Sequence, residues 1–133
     1  MISESSSPEG NQRHAGLPTS ADFSPPVDPG PLPGGNAKLR GPATDALFQA
    51  VLALRTVDEC YAFFEDLLTT AELHSIAQRW QVAGLLDQGQ KYEDVASVTH
   101  ASSATISRVS RSLHYGADGY RLILDRLADH RHE

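Results

Sequence analysis

From Thr44 onward the apolar residues fall three and four positions apart, the spacing of one helix face, and turn residues punctuate the runs. "TDALFQAVLAL" sets Leu47, Ala50, Val51 and Leu54 on one stripe, with Thr44 placed to cap it. "TVDECYAFFEDLL" opens with Thr56 and Glu59 at capping-box spacing, and Cys60, Phe63, Phe64, Leu67 and Leu68 follow at helical intervals. Thr69 and Glu72 repeat that spacing ahead of "AELHSIAQRWQVAGLLDQG", which Gly89 is placed to end in a left-handed turn. "KYEDVASVT" predicts a short fourth helix, "SSATISRVSRSLHY" a fifth, and "DGYRLILDRLADH" a sixth capped by Asp118. No strand pattern and no internal repeat appears. The expected fold class is all-α, with six helices in one domain over residues 42–133.

The third of these runs carries more apolar surface than one face holds. Leu73, Ile76, Ala77, Trp80, Val82, Ala83, Leu85 and Leu86 cover several sides, so the helix is expected to be buried on several sides. A folded region of roughly 90 residues has a small core by itself. Burial against a second copy relieves both problems, and an intertwined homodimer is expected; a monomer with a greasy central helix is the alternative. Trp80 reads as core and Cys60 as a small buried hydrophobe.

Residues 1–41 contrast with this pattern. They are rich in Ser, Pro and Gly, and their apolar residues are isolated and aperiodic. Such a segment buries too little surface to offset its ordering entropy, so it reads as a disordered tail.

Two of the helices form a unit with chemical content. In "YEDVASVTHASSATISRVSRSL", Val95 and Ala96 precede a corner at His100 and Ala101, and Ile106 and Val109 face back toward Val95. This spacing predicts a helix-turn-helix, in which two helices cross steeply over a short turn. Ser102 is a good N-cap for the second helix. Its outward positions are Ser102, Ser103, Ala104, Thr105, Ser107, Arg108 and Arg111. Small residues let a backbone approach base edges, hydroxyls bond bases or phosphates, and arginines grip guanine or phosphate. An ordinary helical hairpin with a polar face is the plainer reading.

Charge sharpens the contrast. The 133-residue chain carries a formal net charge of -6, which argues against coating nucleic acid by bulk charge. Yet from Ala101 to Ala117 no residue is acidic, while Arg108, Arg111 and His114 lie there. A phosphate-facing helix within an acidic whole has this composition. One cysteine excludes an intrachain disulfide and fits a reducing compartment. The N-terminus lacks a signal-peptide pattern, and no apolar run reaches the ~20 residues of a membrane span. A cytoplasmic protein without membrane contact is expected.

No phosphate loop or nucleophile motif appears, so an enzyme is not expected. His130 and His132 lack further ligands at zinc spacing, and neither a metal nor a cofactor is expected. His74, His114, Asp87, Glu93 and Asp94 read as helix-surface or helix-end groups.

The segments "ECYAFFEDLLTTAELHSIAQRWQVAGLL", "ASSATISRV" and "HYGADGYRLILDRL" together resemble the Trp repressor superfamily, in its YerC/YecD-type branch. The resemblance runs from about Thr44 to Leu127 and omits the tail. It implies a dimeric, intertwined helical fold that reads DNA through its helix-turn-helix. It also implies a ligand site in which Arg79 and Arg108 flank an indole and Thr69 and Ser112 supply polar contacts.

Three departures alter that implication. Val109 stands where tryptophan-binding repressors have glycine, and its branched side chain fills the space beside the ligand, so tryptophan is not the expected effector. Glu93 stands at a basic DNA-facing position and Ala96 at another. His100 takes the turn-glycine position, which calls for a positive φ uncommon in histidine. The sequence thus points to a homodimeric, sequence-specific regulator of the repressor type, with double-stranded DNA and a second copy as partners. A small-molecule effector is left open. The rival is a dimeric helical interaction module without specific DNA binding, favoured by the net charge and Glu93.

Overall fold

The structure is a computed structural model and describes residues 37–132, all within the compact unit Pro31–Glu133. The tail expected over residues 1–41 lies, up to residue 36, outside the described residues. Its last part holds one 3-10 turn, Ala37–Leu39. Six α-helices follow: α1 Pro42–Leu52, α2 Val57–Leu67, α3 Thr70–Asp87, α4 Tyr92–Thr99, α5 Ser103–Tyr115 and α6 Gly119–Arg131. The described residues contain no strand, as the period of the apolar residues requires.

Local chemistry sets the helix ends. At α3 the Thr69 hydroxyl accepts from the Glu72 amide at 3.1 Å and the Glu72 carboxylate accepts from the Thr69 amide at 2.9 Å, a complete capping box. At α2 only half the box forms: Thr56 accepts from the Glu59 amide, but Glu59 accepts from the Arg55 amide instead. Gly89 has φ 85° and stops the chain after α3.

Two expected caps differ. Thr44 is inside α1, which starts at Pro42 behind Gly41, because proline at the first position has a helical φ and no amide left to satisfy. Asp118 does precede α6, but its side chain makes no capping bond; its backbone is left-handed, with φ 69°.

α3 is the hub, packed by α2, α4, α5 and α6. The core is Val82 and Ala83 of α3, Val95 of α4, Ala101 of the turn, and Ile106 and Val109 of α5, with Leu85, Leu86, Ala96 and Tyr120 against it. No residue of α1, α2 or α6 is fully buried, and α1 has no comparable packing partner among the described residues.

The multi-sided α3 is therefore covered on one side within the chain. Its other side leaves Ile76 and Trp80 46% and 38% exposed. Trp80 is thus at the edge of the core and not within it; its ring leans on Tyr120, centroids 6.1 Å apart. Cys60 is likewise only half-buried, because among the described residues α2 packs chiefly on α3. With Val57, Tyr61, Phe64, Leu73, His74 and Ala77 it lines an apolar groove of about 390 Å³. Asp87, read from sequence as a solvated charge, accepts a hydrogen bond from Arg121 Nη1 at 2.6 Å, a contact 34 residues distant.

Candidate nucleic-acid interface

α4, a three-residue turn and α5 make a helix-turn-helix. The turn is set at His100, whose φ of 61° is left-handed. The His100 amide bonds the Ala96 carbonyl at 2.8 Å and so closes α4. This is the positive φ that the turn position demands, met here without glycine.

Thr99 and Gln78 lock the corner, and sequence reasoning passed over both. Thr99 is buried; its hydroxyl donates to the Val95 carbonyl at 2.8 Å and accepts from the Ala101 amide at 3.1 Å. Gln78 Nε2, from α3, donates to the Thr99 carbonyl at 3.0 Å. Three elements thus meet at one residue. A threonine between two apolar-helix signals was the available clue, since a buried hydroxyl must find partners.

Ser102 caps α5, its hydroxyl accepting from the Thr105 amide at 3.1 Å. Behind the cap, Ile106, Val109 and Leu113 are buried along one stripe. Ser103, Ala104, Ser107, Arg108 and Arg111 are exposed and fall on the opposite side at helical spacing. Ser102 is exposed beside them, while Thr105 is half-buried and its hydroxyl accepts from the Ser102 hydroxyl at 3.1 Å. Among the described residues Arg108 and Arg111 carry no salt bridge, so their guanidinium groups face solvent unneutralised. The absence of carboxylates on α5 and two unpaired arginines make this a positive patch on an acidic chain.

Of the four ligand-site residues, Thr69 and Arg79 stand apart within one chain. Thr69 is spent on the capping box at one end of α3, and Arg79 lies ten residues along, about 15 Å of helix away. Arg108 and Ser112 are exposed on α5. Val109 is buried in the core beside Val82 and Ala83, so the space next to Arg108 is filled. Among the described residues no group of three or more His, Cys, Asp or Glu side chains is placed to hold a metal. No helix of the described residues is long and apolar enough to cross a membrane.

The fold and this site define a class: an all-helical protein built on a buttressed helix-turn-helix with a polar, acid-free second helix. A family model described as Trp repressor protein matches residues 43–128. The chain belongs to the Trp repressor family. It is 49% identical to the YerC protein of Bacillus subtilis strain 168 over 92 residues, 69% of this chain and 88% of that protein. It is also similar to the crystal structure of a TrpR-like protein from Eubacterium eligens, with a TM-score of 0.68 at 50% identity over 70% of this chain and 96% of that one. A candidate Trp repressor from Staphylococcus aureus gives a TM-score of 0.67 at 52% identity, over 68% and 91% of the two chains.

Proposed function

We propose that the protein is a sequence-specific DNA-binding transcriptional regulator that acts as a homodimer and does not respond to tryptophan. The observation that carries the reading is the exposed face of α5, where serines and unpaired arginines oppose a buried Ile106–Val109–Leu113 stripe. Membership of a family of DNA-binding, dimeric, non-enzymatic regulators supports it. Two copies of α5 enter successive major grooves about 34 Å apart. Ser102, Ser103, Ala104, Thr105 and Ser107 then lie toward base edges, and Arg108 and Arg111 hold phosphate or guanine.

The dimer is supported by apolar surface that one chain leaves bare. Phe48 and Leu52 of α1, Val57 and Tyr61 of α2 and Ile76 of α3 are all exposed. Such a surface marks an interface. A ligand site of the kind the family implies would lie beside Arg108. The buried Val109 leaves no room for an indole in that site.

Selection from a random duplex library at moderate salt tests the reading. An enriched pseudo-palindrome with half-sites one helical turn apart is expected. Unselective recovery would favour a dimeric interaction module instead, a reading that the exposed Glu93 and Asp94 in the first turn of α4 support. Against an enriched site, Arg111→Ala should weaken binding and lower the slope of log affinity against log salt by about 0.9. An unchanged slope and affinity would remove Arg111 from the interface.

A further inference from the structure

Between the first turns of α4 and α5 a groove of about 410 Å³ opens, lined by Lys91, Tyr92, Glu93, Ala96, Ser103 and Ile106. It shares Ser103 with the face of α5 assigned to DNA. Its floor is apolar: Ile106 is buried and Ala96 half-buried. Its rim is polar: Lys91 and Glu93 are exposed, and neither forms a salt bridge among the described residues.

Glu93 is the odd group on this rim. A carboxylate on a DNA-facing surface is repelled by every phosphate, so it makes no backbone contact. What suits it in the major groove is an amine donor. Cytosine offers its N4 amine with no acceptor beside it on the same base edge, whereas adenine places the N7 acceptor next to its N6 amine. Ala96, half-buried at the floor of the groove, offers an apolar contact to the C5 edge next to the cytosine amine. Asp94 occupies the same first turn, so the helix-dipole role of an acid there does not require Glu93.

Resting on the DNA-reading proposed above, we infer that Glu93 is a specificity-determining residue that selects cytosine at one position of each half-site. It acts from α4, outside the helix that carries the other base contacts.

The test runs the random-duplex selection with the full chain as wild type, Glu93→Gln and Glu93→Ala, each checked for an unchanged melting temperature. Wild type is expected to enrich cytosine at one position flanking those set by Ser102 and Ser103. Glu93→Gln should move that preference to adenine, which a glutamine amide pairs with through N6 and N7. Glu93→Ala should lose about tenfold discrimination at that position and leave the others unchanged. The same bases at every position in all three proteins, with Glu93→Ala simply binding all DNA more tightly, would overturn the inference and leave DNA reading intact. No enriched sequence with any of the three would overturn both.

Discussion

Gly116 ends α5 at a place where only glycine fits. A Cβ there would stand 2.5 Å from the Ser112 carbonyl oxygen and 3.0 Å from its Cα, both backbone atoms that do not yield easily. Gly116→Ala is expected to destabilise the protein by about 1–3 kcal/mol, read as a lower melting temperature by circular dichroism. His100 is the opposite case. It holds φ 61° with a side chain that gains nothing visible from it, so His100→Gly should raise stability by about 0.5–1 kcal/mol. A drop in melting temperature would show that the histidine ring has a stabilising contact of its own. Thr99 is less replaceable. Thr99→Val keeps the shape but strips the Ala101 amide of its acceptor, which should cost about 1–3 kcal/mol and loosen the corner that aims α5.

At the scale of elements, the α3 capping box has a pH signature. Hydrogen bonds from the Thr69 amide, and secondarily its hydroxyl, hold the Glu72 carboxyl below its ordinary range. A depressed carboxyl contributes stability above its unfolded value of about 4.3 and loses it as pH falls through the lower folded value. The melting temperature of wild type should therefore exceed that of Glu72→Gln near neutral pH, and the gap should close as pH drops below about 4.3. A gap that stays constant down to acid would mean that the carboxylate charge contributes nothing to the cap.

These elements were legible in the sequence to different degrees, for physical reasons. The six helices, the Thr69 box and the Gly89 stop follow from local period and capping chemistry, which act within four residues. The buried Val95–Ile106–Val109 seam followed too, since apolar spacing alone fixes which faces meet across a short turn. Thr44 misled because Pro42, two residues upstream, is a stronger start signal than a threonine cap. The Asp87–Arg121 bond and the Gln78–Thr99 lock join residues 34 and 21 positions apart, and nothing periodic in the chain announces such pairs. Cys60 and Trp80 read as core because pattern reports apolar character without saying how far the fold covers it. The outward face of α5 was legible as the complement of its buried stripe, whereas the groove beneath Glu93 needed the crossing of two helices to exist.

For the whole molecule, the exposed apolar residues dictate what association should look like. Leu52 is 64% exposed in one chain, where a charged substitution on an ordinary surface would change stability by less than about 0.5 kcal/mol. If a second copy covers it, Leu52→Asp should instead convert dimer to monomer in light scattering and sharply lower the melting temperature. Wild-type melting should in turn rise with protein concentration, as for any fold completed by association. A concentration-independent melt together with a soluble, stable Leu52→Asp monomer would remove the dimer.

Among the described residues, all of the fully buried side chains lie between Val82 and Leu113, and α1 and α2 contribute none. The backbone should accordingly exchange its amide hydrogens in two regimes. Amides of α3 to α5 open only when their shared core does, and they should retain deuterium label longest. If a second copy covers α1 and α2, as proposed, their exchange should quicken on dilution while the helix-turn-helix keeps its pace. The half proposed to read DNA would then remain formed in a lone chain whose other half has already come apart.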